Sequence, residues 1–204
     1  MSTPISATPA LVLGSTSRYR QELLSRLKVP FACRAPEVDE TPLHGEAPSA
    51  IAERLALAKA QSVAQLCLQD ANQDVVVIGS DQVADLDGQA LGKPGTHERA
   101  TAQLRRMRGQ TVIFHTAVAV VCVESGFAQM ELAPVRVVFR DLDDAEIETY
   151  LRAEQPYDCA GSAKSEGLGI ALLERIDNDD PTALVGLPLI RTARLLRAAG
   201  LRLL

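Results

Sequence analysis

Val75-Val76-Val77-Ile78-Gly79-Ser80-Asp81-Gln82-Val83 decides the fold of this chain. Four β-branched residues in succession read as a strand buried on both faces, as in a sheet covered by helices. Gly79 and Ser80 then predict a small-residue turn, with Asp81 just beyond the strand's carboxyl end. Open α/β sheets put their chemistry at those ends. An aspartate there either caps the turn or is placed to hold a metal or take a proton from water.

Working outward, an apolar strand over residues 10–13 runs into Gly14-Ser15-Thr16-Ser17, and residues 18–27 carry a leucine stripe that predicts a helix. Residues 31–34 suit a strand. Residues 35–48, rich in proline and acid, suit a loop. A helical pattern follows over residues 48–68, opened by Pro48. Asp87-Gly88 predicts a hairpin joining residues 83–86 to 89–91. Thr96 caps a helix to about residue 108, and Asp143 caps another to about residue 153. Residues 111–123 and 128–140 read as a long hairpin, and Pro188 starts a last helix that Gly200 ends. With no repeat and no linker-like break, residues 1–204 read as a single α/β domain of two lobes sharing one sheet.

The composition excludes several classes. Of 204 residues, 47% are hydrophobic, enough for a sizeable core, and only 3% are aromatic, with no Trp. So few rings, with a net charge of −5, argue against a nucleic-acid surface. Cys33, Cys67, Cys122 and Cys159 form no Cys-x-x-Cys pair and the three histidines are scattered, so no zinc site is signalled. Residues 1–10 lack a signal-peptide pattern and no apolar run is long enough to span a bilayer. A cytoplasmic protein with reduced thiols, without membrane or nucleic-acid partners, is expected.

An acidic protein can bind a phosphorylated small molecule only through local cations, free N–H groups or a metal. Gly14-Ser15-Thr16-Ser17-Arg18-Tyr19-Arg20, at a strand-to-helix turn, offers hydroxyls and guanidiniums. Glu37-Val38-Asp39-Glu40 clusters carboxylates suited to Mg²⁺ or Mn²⁺. Arg54 and Lys59 on the long helix, and Lys93 in Gly92-Lys93-Pro94, can neutralise phosphate oxygens. The glycines around Lys164-Ser165-Glu166-Gly167 allow a tight backbone path beside a ligand.

In this order the motifs resemble the Maf family of nucleotide pyrophosphatases, from Leu11 to about Gly200. The resemblance implies an elongated, two-lobed mixed sheet with flanking helices, similar to the inosine-triphosphate pyrophosphatases, with a cleft between the lobes and often a dimer. It implies cleavage of the α–β anhydride of a nucleoside triphosphate with a divalent metal cation, Mg or Mn. The family's proton acceptor falls on Asp81, and its phosphate contacts on Ser15, Ser17, Arg20, Lys59 and Lys93. Its metal position falls on Glu37, beside Asp81.

Tyr19, Gln82 and Glu166 look like the specificity residues of the YceF-like branch, whose implied substrate is 7-methyl-GTP. The branch acting on dTTP and UTP usually has Arg, Thr and Gln there. Methylation at N7 makes guanine a delocalised cation, which an aromatic face and a carboxylate both favour. Arg18 stands where the family commonly has Pro, and Tyr19 where this branch often has Trp. A pyrimidine-triphosphate pyrophosphatase, or a nucleotide-binding regulator without turnover, are the other readings.

Overall fold

The computed structural model describes residues 9–70 and 75–204. Its strands are β1 (Ala10–Gly14), β2 (Phe31–Cys33), β3 (Val75–Leu86), β4 (Gln89–Leu91), β5 (Thr111–Cys122), β6 (Phe127–Phe139) and β7 (Leu173–Asp177). They form one mixed sheet in the order β2-β1-β3-β5-β6-β7, with β4 paired to β3. β1 pairs parallel with β2 and β3, whereas β3, β5, β6 and β7 pair antiparallel. The helices are α1 (Arg18–Ser25), α2 (Pro48–Gln69), α3 (His97–Met107), α4 (Asp144–Glu154) and α5 (Leu189–Ala198).

The apolar run divides by strand alternation. Val75 and Val77 pack with Ile51, Ala52, Leu55 and Ala56 of α2. Val76 and Ile78 pack on the other face with Leu23 and Leu24 of α1 and Leu195 and Leu196 of α5. The far halves of β3, β5 and β6 hold a separate core, in which Leu104 and Met107 of α3 meet Phe114, Phe139 and Leu151. Thr96 and Asp143 cap their helices as expected, Asp143 in a reciprocal capping box with Glu146, and Ser17 caps α1. Such caps contribute about 1 kcal/mol each.

One expectation is corrected. β3 does not stop at Ile78 but runs for 12 residues, and Gly79 and Ser80 lie inside it. Gly79 serves close packing, not a turn. A Cβ there would sit 2.2 Å from Ala56 O and 2.5 Å from Ala60 N of α2. Ala52, Ala56, Ala60 and Ala64, four residues apart, give α2 the smooth face that this approach requires.

The parallel pairing ends where Gly14 meets Gly79, and β4 joins the same edge only at Ala84. Residues 80–83 are therefore paired on one side alone, with β5. That gap in the sheet edge makes room for a cleft.

The segment between β2 and α2 is clipped down by Glu46. Its carboxylate accepts from Arg54 Nε at 2.6 Å and Arg54 Nη2 at 2.7 Å, and from Leu43 N–H at 3.0 Å. The Arg54 hydrogen bonds hold the Glu46 carboxyl at about 2, well below its ordinary value. A depressed folded-state value gives stability that is present above the unfolded value and lost as pH falls through the folded one. Melting temperature should therefore carry a component that declines from about pH 4.5 to about pH 2. Glu46→Gln should remove that component and flatten the acid limb of a melting-temperature series; an unchanged limb would mean that the clip does not stabilise the fold.

Candidate active site

The cleft has a volume of about 1010 Å³ and opens over the gap at residues 80–83. The 14–20 turn, the 90–93 loop, the 155–166 segment and the turn at 184–186 form its walls. β1 ends beside β3, so Ser15 and Arg20 are brought next to Asp81.

Lys59 reaches in from α2 and is almost fully buried. Its Nζ donates to Asp81 Oδ1 at 2.7 Å and pairs with Glu40 Oε1, also at 2.7 Å. One ammonium thus bridges two carboxylates, a compensated arrangement in a site where an unpaired charge would be costly. Burial disfavours ionised Glu40, yet the hydrogen bond and charge of Lys59, then Lys93 and Arg20, hold its carboxyl below the usual value. Arg20 Nε donates to Gly186 O at 2.9 Å, and Arg20 Nη1 lies 3.5 Å from Ser15 Oγ. Burial pulls the Arg20 guanidinium below its ordinary value against the opposing pull of Asp81 and Glu40. Ser17 Oγ accepts from Arg20 N–H as the cap of α1, and Ser15 Oγ accepts from Ser17 N–H at 3.1 Å. Lys93 is exposed at the rim opposite.

The other end of the cleft carries Tyr19, Asp158, Cys159 and Glu166. The Tyr19 ring has the Arg18 guanidinium carbon 4.8 Å and Lys164 Nζ 5.9 Å from its centroid, so its face already attracts cations. Burial raises the Tyr19 phenol and pushes the Cys159 thiol up to about 12. Glu166 is raised too, first by burial and then by Glu154 and Asp158, against the pull of a backbone N–H and Lys164. Glu154 holds the loop that presents Glu166: its carboxylate accepts from Lys164 Nζ at 2.6 Å and Leu168 N–H at 2.8 Å.

The family model for Maf-like proteins matches residues 10–199 of this sequence. The chain belongs to the Maf family. Curated relatives include the 7-methyl-GTP pyrophosphatase of a Polaromonas species, 72% identical over 95% of this chain and 86% of the relative. That of Albidiferax ferrireducens is 67% identical over 100% of this chain and 99% of the relative. That of Burkholderia thailandensis is 61% identical over 96% and 90%. The solved structure of a Mycobacterium abscessus nucleoside-triphosphatase / dITP/XTP pyrophosphatase covers 93% of this chain and 94% of its own, at 15% identity and a TM-score of 0.43, a likeness too remote to bear on the site.

In this Maf protein the cleft gathers Ser15, Ser17, Arg20, Lys59, Lys93, Asp81, Tyr19, Gln82 and Glu166. Glu37 is the exception. Ser62 Oγ accepts from Glu37 N–H at 2.9 Å and donates to Glu37 O at 3.2 Å, which fixes its backbone against α2 away from the cleft walls. Of that acidic loop, Glu40, three residues on, is the carboxylate that borders the cleft. Arg54, committed to Glu46, is outside the cleft walls as well. Gln82 does border the cleft, but its amide nitrogen is spent inward, on Thr116 and the 183–184 carbonyls. Thr116 and the 183–186 turn carried no local signal in the sequence.

Proposed function

We propose that this chain hydrolyses the α–β anhydride of 7-methyl-GTP, releasing 7-methyl-GMP and pyrophosphate. The observation that carries the reading is Asp81 in the stretch of β3 that β1 and β4 leave open, held by Lys59, which also pairs with Glu40, in a cleft with Arg20 and Ser15. Asp81 accepts the proton of the attacking water. Arg20, Lys59, Lys93 and the two serines hold the triphosphate and offset the charge that develops on the leaving pyrophosphate. Among the described residues no three metal-binding side chains cluster. Asp81 and Glu40 nevertheless fit Mg²⁺ or Mn²⁺, which bind through one or two carboxylates together with substrate phosphates and water. When bound, such a cation polarises the anhydride.

The names of the relatives support a 7-methylguanine base. So do the Tyr19 ring, which faces cations, and the carboxylate of Glu166. No helix among the described residues is long and apolar enough to cross a membrane. The four free cysteines support a reducing compartment such as the cytoplasm.

Pyrophosphate release from 7-methyl-GTP, GTP, dTTP, UTP and CTP with Mg²⁺ or Mn²⁺ tests the reading. The expected result is turnover of 7-methyl-GTP well above the rest. A preference for pyrimidine triphosphates would keep the reaction and reject the base, and tight binding without release would reject the enzyme.

A further inference from the structure

The amide of Gln82 can be oriented from its neighbours. Its Nε2 lies 2.8 Å from Thr116 Oγ1, 3.0 Å from Leu184 O and 3.1 Å from Ala183 O. Two of these are carbonyl oxygens, which only accept. Thr116 Oγ1 gives its own proton to Ala183 O at 2.9 Å, so it too meets Gln82 as an acceptor. With the amide reversed, the Gln82 oxygen would face two carbonyl oxygens with no proton between them. The –NH₂ group therefore points at the 183–184 turn, and Oε1 is the free end. Oε1 accepts no hydrogen bond among the described residues and is not sealed from solvent, and Gln82 borders the cleft.

We infer that Thr116, fully buried behind Gln82, is a positioning residue: it fixes the polarity of this specificity position, so that Gln82 meets the base as a hydrogen-bond acceptor. This rests on the proposed nucleotide pyrophosphatase activity and deepens it. Glu166 supplies a second acceptor in the same cleft. A pair of acceptors suits a base edge with two adjacent donors. Guanine has such an edge in N1–H and N2–H₂, and methylation at N7, by withdrawing electrons, strengthens both donors. Hypoxanthine lacks the amino group. Uracil and thymine offer one N–H between two carbonyls, which would face the acceptors unfavourably. A site with fixed polar partners rejects the analogue that leaves one unpaired.

The turn itself is gripped from several elements. Ser80 Oγ lies 3.0 Å and Arg20 Nε 2.9 Å from Gly186 O, and Gly186 adopts φ +121°, a conformation suited to glycine. The side chains that orient Gln82 therefore act on the same turn that receives Arg20 from the phosphate end.

The test is kcat/KM for two pairs of triphosphates, 7-methyl-GTP with 7-methyl-ITP and GTP with ITP, on the wild-type protein, Thr116→Val and Thr116→Ser. The wild type should prefer guanine over hypoxanthine by about tenfold or more in either pair. Thr116→Val should shrink that ratio several-fold, and Thr116→Ser, which keeps the hydroxyl, should restore it. A Thr116→Val ratio equal to the wild-type one, or a serine variant no better than valine, would overturn the role of Thr116. A wild type indifferent to the amino group would overturn the acceptor reading. The unmethylated pair keeps the comparison open if the 7-methyl preference itself fails. Should Thr116→Val not fold, the Gln82 side-chain amide protons of the wild type decide by NMR: slow exchange is expected, and free exchange with solvent would refute the orientation.

Discussion

Asp81→Asn is expected to lower kcat/KM for pyrophosphate release by about two to four orders of magnitude, the range for losing a general base. The substitution is nearly isosteric. The asparagine Oδ1 still accepts from Lys59 Nζ, and Glu40 remains within 2.7 Å of that ammonium, so no buried cation is left bare. A stability loss of about 1 kcal/mol follows from weakening one charge-assisted bond, or about 2–4 °C in Tm for a chain of this size. The test is therefore a pair of measurements, turnover and thermal melting, on one protein. Wild-type turnover in a folded variant would remove Asp81 from the chemistry. Loss of both turnover and cooperative melting would make it a structural residue.

Gly79→Ala should produce the largest effect on the fold. The added Cβ meets backbone atoms at 2.2 and 2.5 Å, contacts that no side-chain rotation relieves. Either α2 must lift off β3 or β3 must bend, at a cost of about 3 kcal/mol, the upper end for overpacking, which lowers Tm by roughly 6–12 °C. Activity should fall with it, because α2 carries Lys59 and β3 carries Asp81. A misplacement of about 1 Å in such a pair costs on the order of a hundredfold in rate. Gly14→Ala is the comparison: its Cβ would meet Ile78 O and Val63 Cγ2 at 3.2 Å and Lys59 O at 3.3 Å, contacts that a shift of a few tenths of an ångström would relieve. A Gly79→Ala protein as stable as Gly14→Ala would show that the approach of α2 is looser than described.

The parts of this fold legible in the sequence are those decided locally. Residues 75–78 announce a doubly covered strand by their own chemistry, and Thr96 and Asp143 cap helices that begin one residue later. Gly79-Ser80 misleads because small residues signal turns, whereas the need for Gly79 comes from Ala56 and Ala60, some twenty residues upstream. The acidic loop shows the same limit. Nothing periodic in Glu37-Val38-Asp39-Glu40 says which carboxylate turns inward; Ser62, gripping the backbone of Glu37, decides that Glu40 meets Lys59. Thr116 was invisible for a similar reason, since a threonine in a strand is ordinary until Gln82 and Ala183 are seen on either side of its hydroxyl.

β3, β5 and β6 each run 12 or 13 residues, long enough to serve the cores on both sides of the cleft. The two walls are thus rungs of one ladder, not jaws on a pivot. To rotate them apart would mean tearing backbone hydrogen bonds in the middle of three strands. The protein works less like a clamp than like a fixed bench, on which Asp81 keeps its place because the strand that carries it belongs to both sides of the cleft.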